Sequence, residues 1–445
     1  MKKLSKKEFL SISLLLFSMF FGAGNLIFPP MLGNLGAKNM FPALMGFTIT
    51  AVVLPVLGIL AVAKTNGIQN LGKKVGNLFA FVFPAVIFLA IGPGIAIPRN
   101  ASLAFEMSVV PYLGERSEAI YRLLYTLAFF GWSFFLSLNP KKLVDRIGKV
   151  LTPLLLTLIA IFAVGVFVKY PSAIGEVSPK YSTPLTTGFL EGYNTLDALA
   201  ALNFGFVISL AVRKFQIKDD KTVLKYVSRS GLLAGSVLFV VYALLAKVGK
   251  MSSLQYAGAS NGGKLLFNVT HDVFGAFGSV VMILIFTIAC LSTAVGLITS
   301  VSQYFTTLTK EKLSYKSWVF IFTFVSLVLA NFGLDTILKF SVPVLNTIYP
   351  VAIILILMAL SQDFLNLSKQ TYKISVYVTL FISVIDGFKT AGITLPVLSA
   401  LASKLPLSSV GLGWVLPFAL SLCLSEVYSR FSFRPAEKRI SVESR

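Results

Sequence analysis

Apolar runs of about twenty residues recur along the whole chain, separated by short polar segments. A run of this length, folded as an α-helix, matches the hydrocarbon core of a bilayer. The 445 residues are 56% hydrophobic and only 13% charged, which argues against a large soluble domain. The sequence therefore predicts an all-α polytopic membrane protein with about twelve transmembrane helices.

The predicted spans have approximate bounds. They cover residues 9–34, 40–63, 77–97, 119–138, 148–168, 190–212, 228–248, 274–306, 316–332, 334–361, 372–390 and 408–428. Residues 1–430 are expected to form a single transmembrane domain, and residues 431–445 a cytoplasmic tail. The segment LLFNVTHDVFG, which precedes the eighth span, is expected to form a short helix over the outer face.

Basic residues are distributed unevenly between the predicted loops. With the N-terminus in the cytoplasm, most of the 39 Lys and Arg residues fall on the inner side, whereas the acidic residues divide evenly. This is the bias that the positive-inside rule describes. We therefore expect both termini in the cytoplasm. The net charge of +21 then indicates orientation in the membrane rather than nucleic-acid binding.

Residues 21–30, FGAGNLIFPP, interrupt the first predicted span. Gly costs about 1 kcal/mol and Pro about 3 kcal/mol in a helix interior. A break here would expose carbonyls that suit a cation and amides that suit a carboxylate, and a free amino acid carries both charges. The substrate-binding residues predicted from this stretch are Gly22, Ala23, Gly24 and Asn25. The alternative is a face of small residues that allows close helix packing.

The sixth span is also polar, in residues 191–205, EGYNTLDALAALNFG. The predicted substrate-binding residues are Asn194, Asp197 and Asn203. A carboxylate facing lipid would be strongly unfavourable, so Asp197 is expected to face the protein interior. Two roles stay open for it: contact with the substrate or coupling ion, or a structural hydrogen bond to a neighbouring helix.

The eighth span contains TIACLSTAVGLITS at residues 287–300, with adjacent hydroxyls on Ser292 and Thr293. Hydroxyl and carbonyl oxygens together suit a hard monovalent cation. The alternative is that both hydroxyls bond only to carbonyls of their own helix. The single histidine, His271, excludes a metal site built from several histidines.

The third span contains GPGIAIPRNASLAFE at residues 92–106, whose Gly and Pro residues predict a distorted helix. Arg99 and Glu106 form a candidate gate, in which the guanidinium pairs with Glu106 or another acid at the outer vestibule. Alternatively, Arg99 extends to the outer surface. Asp386, at the end of the eleventh span, is expected to contact only water or Lys389.

The segments that would line a pocket are rich in Ile, Leu, Phe, Ala and Gly, and they contain few ionisable residues. Such a lining favours a substrate with a neutral apolar side chain. One methylene group changes binding by only about 1–3 kcal/mol. Overlapping specificity for aliphatic side chains of similar size is therefore expected.

Three of these segments resemble the bacterial branched-chain amino acid–cation symporter family. They are FGAGNLIFPPMLG at 21–33, GPGIAIPRNASLAFE at 92–106 and NTLDALAALNFG at 194–205. The resemblance runs along essentially the whole chain. It implies uptake of leucine, isoleucine and valine across a bacterial cell membrane, with Na⁺ as the coupling ion or with H⁺ in some members.

That family is in turn similar to the amino acid–polyamine–organocation superfamily, which implies a five-plus-five inverted repeat with broken first and sixth helices. The repeats would cover about 9–168 and 190–361, with extra helices at about 372–428. In that fold, carbonyls of the first helix and a carbonyl and two hydroxyls of the eighth bind Na⁺. The resemblance places these ligands at Ser18, Phe21, Ala289, Ser292 and Thr293.

Secondary active transport is therefore the expected function. An enzyme would need acids or histidines gathered on a sizeable loop, and a channel would need a continuous polar stripe, and the sequence shows neither. The alternative kept open is an H⁺-coupled transporter of another neutral apolar amino acid. Beyond substrate, coupling ion and lipid bilayer, we expect no cofactor, no nucleic acid and no obligatory protein partner.

Overall fold

The computed structural model describes residues 3–432, apart from residues 115, 260 and 394. In this part of the chain all regular structure is helical. The α-helices are α1 (Lys6–Phe20), α2 (Ala23–Gly36), α3 (Met40–Thr48), α4 (Leu54–Thr65), α5 (Ile68–Lys73), α6 (Asn77–Leu89), α7 (Ala96–Ser108), α8 (Glu118–Ser137), α9 (Thr152–Lys169), α10 (Pro184–Tyr193), α11 (Asp197–Arg213), α12 (Asp220–Met251), α13 (Gly262–Leu308), α14 (Tyr315–Ala330), α15 (Leu334–Leu365), α16 (Lys369–Thr390), α17 (Pro396–Ser403) and α18 (Val415–Ser432).

Each of the twelve predicted spans corresponds to a helix or a pair of helices. The pairs are α1 with α2, α3 with α4, α6 with α7, and α10 with α11, and the other spans are α8, α9, α12, α13, α14, α15, α16 and α18. By length and composition, eight described segments could each cross a bilayer, and the bent pair α10–α11 makes nine. That count joins α2 to α3 and α4, and it leaves out α1 and two shorter apolar helices. The predicted tail lies mostly outside the described residues, which end at residue 432.

The first span is broken between α1 and α2. α1 ends at Phe20 and is capped by Phe21, and Gly22 has an extended backbone with φ −128° and ψ −152°. α2 then continues through Pro29 and Pro30, which lie inside the helix and not at the break. The two halves have 15 and 14 residues, so each is too short to cross the bilayer core alone. The predicted break is confirmed.

The sixth span is broken in the same way. α10 ends at Tyr193, Leu196 has a positive φ of 70°, and α11 begins at Asp197. The two helices are bent by 46° relative to each other. A positive φ is unusual for a leucine, so surrounding contacts must hold this turn in place.

Two glycines shape the other helices around the centre. Gly92, between α6 and α7, has a non-helical ψ of −124°, which confirms the predicted distortion of the third span. Gly275 has a φ of 59° and divides α13 into an initial helix, residues 262–274, and the longer helix that follows. The short helix predicted before the eighth span is therefore confirmed, while its position over the outer face stays a prediction.

The broken helices lie at the centre of the bundle. α2 packs closely on α12, where a Cβ on Gly249 would clash with the carbonyl group of Pro30. α11 packs on α4. One half of the first span thus contacts the seventh span, and one half of the sixth contacts the second. In a five-plus-five inverted repeat the first span corresponds to the sixth and the second to the seventh, so these two contacts are counterparts of each other. This arrangement places both breaks side by side.

Candidate functional site

A hydrogen-bonded triangle joins the two breaks. The Asn25 side-chain amide donates to Asp197 Oδ2 over 2.7 Å, and the Tyr242 hydroxyl donates to the same oxygen over 2.8 Å. The Asn25 amide also donates to the Tyr242 hydroxyl. All three side chains are buried. The triangle therefore links α2, α11 and α12, and it contains the structural hydrogen bond that was one of the two roles left open for Asp197.

The first amides of α2 have side-chain acceptors. The Gly22 amide donates to Asn25 Oδ1 over 3.0 Å, and the Ala23 amide donates to Asn100 Oδ1 over 2.8 Å. Asn100 in turn donates from its side chain to the Ala96 carbonyl over 2.8 Å. Amides at a helix start attract negative charge. Here two neutral asparagine oxygens accept these hydrogen bonds.

Arg99 contacts the break of the sixth span. Its Nη1 donates to the Asn194 carbonyl over 2.7 Å and its Nη2 to the Thr195 carbonyl over 3.5 Å. The side chain is 2% exposed, so it does not extend to the outer surface. Arg99 forms no ion pair with Glu106 within the described residues, because the guanidinium is turned toward the carbonyls that end α10. A gating role for Arg99 and Glu106 stays a prediction.

The predicted cation ligands on α1 and α13 are adjacent. The Ser18 hydroxyl donates to Ser292 Oγ over 2.9 Å, and the Thr293 hydroxyl donates to the Ser18 carbonyl over 2.9 Å. The Ser292 hydroxyl also donates within its own helix, to the Ile288 carbonyl over 2.8 Å and to the Ala289 carbonyl over 3.1 Å, and Phe21, which follows α1, is buried. The oxygens of Ser18, Ala289, Ser292 and Thr293 thus form one cluster, the hydroxyl cluster. This oxygen-rich, neutral set fits a monovalent cation.

A small cavity of about 20 Å³ lies between the two breaks. Its walls include Gly22, Asn100, Asp197 and Thr293. A volume of this size holds little more than one water molecule. Pockets for small-molecule ligands are usually about 300–1,000 Å³. The described conformation is therefore closed around its centre, and it has no room there for a ligand of amino-acid size.

Two predicted residues lie away from this cavity. The Asn194 side chain donates to Glu191 Oε2 over 3.3 Å, and only its carbonyl, which accepts from Arg99, takes part in the central contacts. Asn203 lies further along α11, where its buried Nδ2 has no hydrogen-bond partner in the described part of the chain. Neither residue lines the small cavity.

Two central residues, Asn100 and Tyr242, are not among the site residues predicted from the sequence. Asn100 follows Arg99 in a segment whose most prominent features are its prolines and its one charge. Tyr242 lies in an apolar stretch of the seventh span. The only signal was that a buried amide or phenol needs a hydrogen-bond partner, and the partners come from distant parts of the chain.

The family model described as "Branched-chain amino acid transport protein" matches residues 5–432. The chain belongs to this family. Membership makes it a multi-pass membrane transporter and not an enzyme, and it confirms the resemblance drawn from the three sequence segments.

Curated relatives of this branched-chain amino acid transport family match over nearly the full length. The branched-chain amino acid permease BraB of Bacillus subtilis is 40% identical over 428 residues, which are 96% of this chain and 96% of the permease. The branched-chain amino acid transport system 2 carrier protein of Pseudomonas aeruginosa is 38% identical over 432 residues, covering 97% and 98%.

Solved structures support the fold. A transporter of the nucleobase–cation symport-1 family, in a closed conformation with bromovinylhydantoin bound, has a TM-score of 0.57 and 13% identity. The match covers 95% of this chain and 92% of that transporter. At this identity the likeness concerns the fold alone. It confirms the inverted-repeat architecture with broken first and sixth helices.

Proposed function

We propose that this chain takes up leucine, isoleucine and valine across the bacterial cell membrane by symport with a cation, and that the cation is Na⁺. Both termini would face the cytoplasm. The relatives named above are permeases and carriers of branched-chain amino acids, which supports the substrate class. The hydroxyl cluster beside the break of the first span is the observation that carries the cation proposal.

The substrate carboxylate would bind by exchange of hydrogen-bond acceptors. The Gly22 and Ala23 amides now donate to side-chain oxygens of Asn25 and Asn100. As the helices separate, the carboxylate would replace one or both of these oxygens. Charge-assisted hydrogen bonds are roughly twice as strong as neutral ones, so the exchange favours the bound anion. The substrate ammonium would bind on the opposite side, at Asp197 and the carbonyls that end α1.

The substrate side chain would meet an apolar wall. The cavity between the breaks is bordered by Met19, Phe20, Ile91, Ala200 and Leu297. None of these side chains offers a hydrogen bond or a charge, so a polar substrate side chain would lose its hydration without compensation. Leucine, isoleucine and valine avoid this loss. They differ by at most one methylene group, which accounts for overlapping specificity.

Na⁺ would be a second substrate that is bound by the hydroxyl cluster. The Ser18 carbonyl and the hydroxyls of Ser292 and Thr293 already lie together, so ion binding would require little backbone movement. The hydroxyl protons would have to rotate away from the ion, so that the oxygen lone pairs face it. The ion would join α1 to α13 beside the substrate amides. Each ligand would then favour the conformation that the other binds, and each must raise the other's affinity by the same factor.

Uptake of radiolabelled leucine into proteoliposomes tests this proposal, with a Na⁺ gradient and a pH gradient imposed separately. We expect the Na⁺ gradient alone to drive uptake, and we expect unlabelled isoleucine and valine to compete. Absence of leucine uptake under both gradients would contradict the substrate proposal. Uptake under the pH gradient alone would contradict Na⁺ coupling.

The second candidate is H⁺ coupling to the transport of a neutral apolar amino acid, favoured by the buried Asp197 carboxyl group at the centre of the molecule. Asp197→Asn keeps the size of the side chain and removes the group that would take up a proton. Under H⁺ coupling, this variant loses its response to a pH gradient. Under Na⁺ coupling through the hydroxyl cluster, it still responds to Na⁺, with weaker leucine binding.

A further inference from the structure

A second cavity, of about 260 Å³, lies beside the break of the sixth span. α10, α15, α16 and the segment before α18 enclose it, and its lining includes Tyr193, Asn346, Asp386, Lys389 and Trp414. We call it the α16 cavity. Its volume is more than ten times that of the cavity between the breaks. In the described conformation, the α16 cavity therefore has room for a ligand of amino-acid size when the central site has none.

The α16 cavity has one carboxylate and one ammonium on the same helix. Asp386 and Lys389 are three residues apart on α16, a spacing that places their Cβ atoms about 5–6 Å apart on one helix face. Within the described residues, neither side chain takes part in an ion pair closer than 4 Å. Both charges are thus available to a ligand that carries one charge of each sign.

Close helix packing holds these charges over the cavity. Gly387 lies between Asp386 and Lys389, and a Cβ on it would come within 3.1 Å of the Pro343 carbonyl oxygen of α15. Across the same groove, the Asn346 side chain of α15 donates to Thr390 Oγ1 over 3.0 Å. α15 therefore fixes the end of α16 that carries the two charges.

The lining supplied by α10 and by the segment before α18 is aromatic. Tyr193 is the last residue of α10, and its ring stacks on Tyr349 with a centroid distance of 4.3 Å and an interplanar angle of 13°. Trp414 is 5% exposed and borders the cavity beside Tyr193. An apolar side chain could lie against these rings while its charged end meets α16.

We propose that the α16 cavity binds a free amino acid with an aliphatic side chain, at a site separate from the one between the breaks. The ligand ammonium bonds to Asp386, its carboxylate to Lys389, and its side chain packs against Tyr193 and Trp414. A simple anion would be repelled by Asp386 and a simple cation by Lys389, which leaves a zwitterion as the ligand that matches both. This inference rests on the proposed function for the identity of the amino acid.

Equilibrium binding of radiolabelled leucine to the full-length protein in nanodiscs, at saturating Na⁺, tests the proposal. We expect two leucines per chain for the wild type. Asp386→Asn combined with Lys389→Gln should keep one site and lose the other. The charge-exchanged variant, Asp386→Lys with Lys389→Asp, should recover the second site in part, because both charges are still present.

The matched control is Asp335→Asn combined with Lys339→Gln. This pair is an exposed carboxylate and ammonium on α15 that does not line the cavity, and the control should bind two leucines. A wild-type isotherm with one site, or an unchanged isotherm in the Asp386/Lys389 neutral variant, would overturn the proposed second site and leave the transport proposal standing. No leucine binding by the wild type would overturn both.

Discussion

The Asn25 side-chain amide lies 2.7 Å from Asp197 Oδ2, although the two residues are 172 positions apart in the sequence. Asn25 is in the first turn of α2 and Asp197 begins α11, so this hydrogen bond connects the breaks of the first and sixth spans. In the proposed transport cycle these helices must separate to admit an amino acid. The bond is therefore both a stabilising contact of the closed form and a contact that the substrate would have to replace.

Removal of the Tyr242 hydroxyl should destabilise the closed form. Tyr242→Phe keeps the ring but removes the donor that lies 2.8 Å from Asp197 Oδ2. The same hydroxyl also accepts from the Asn25 amide, so two buried hydrogen bonds are lost, each of which contributes about 0.5–1.5 kcal/mol. We expect a lower midpoint of thermal unfolding in detergent. Tyr315→Phe is the control, since that hydroxyl donates to the neutral Ser137 carbonyl over 2.7 Å. Equal losses in the two variants would argue against a special role for Tyr242.

A negative charge at position 100 should compete with the substrate. Asn100→Asp keeps an oxygen near the Ala23 amide and adds a charge where the substrate carboxylate is proposed to bind. We expect the Kd for leucine to rise at least tenfold, which corresponds to about 1.4 kcal/mol. Asn100→Ala removes the competing oxygen and should bind leucine at least as tightly as the wild type. Binding to Asn100→Asp at wild-type affinity would contradict the proposed exchange of acceptors.

A methyl group on Gly24 should disturb the contact between the two breaks. A Cβ at this position would lie 2.7 Å from Arg99 Nη2 and 3.0 Å from the Asn194 carbonyl oxygen. Overpacking of this kind costs about 1–3 kcal/mol. We expect Gly24→Ala to lower both the unfolding midpoint and leucine uptake. Gly36→Ala, at the end of the same helix, is the control, because its nearest neighbour would be 3.6 Å away. If both variants were equally active, close approach at Gly24 would be unimportant.

The sequence predicted the helices and their breaks because these depend on local chemistry. Long apolar runs marked the spans, and the glycines of FGAGN marked the first break. The prolines were less informative, since α2 continues through Pro29 and Pro30. Their missing amides are tolerated where neighbouring helices pack closely, as α12 does at Gly249.

The partners of the polar side chains could not be predicted locally. Arg99 bonds to carbonyls that are 95 and 96 positions away, and the Asn25 amide meets Tyr242 after 217 positions. Only the packing of α7 and α12 against the broken helices decides these contacts. The hydroxyl cluster was the exception, because the resemblance to a known fold related the spacing of Ala289, Ser292 and Thr293 to the first helix.

The hydroxyl cluster should carry the dependence of leucine binding on Na⁺. Ser292→Ala combined with Thr293→Ala removes both hydroxyls that contact Ser18. Thr379→Ala combined with Ser383→Ala is the matched control: it removes one buried Thr and one buried Ser hydroxyl from α16, each bonded only to its own helix. We expect the control to keep the Na⁺ dependence of the wild type.

The most direct test of the account is the Kd for leucine, measured in nanodiscs with and without Na⁺, for the wild type and the Ser292/Thr293 variant. Coupling free energies between two sites are about 1–3 kcal/mol. We expect Na⁺ to tighten leucine binding to the wild type by about 5–150-fold and to have little effect on the variant. A variant whose leucine affinity responds to Na⁺ as strongly as that of the wild type would contradict the claim that the hydroxyl cluster binds the coupling ion.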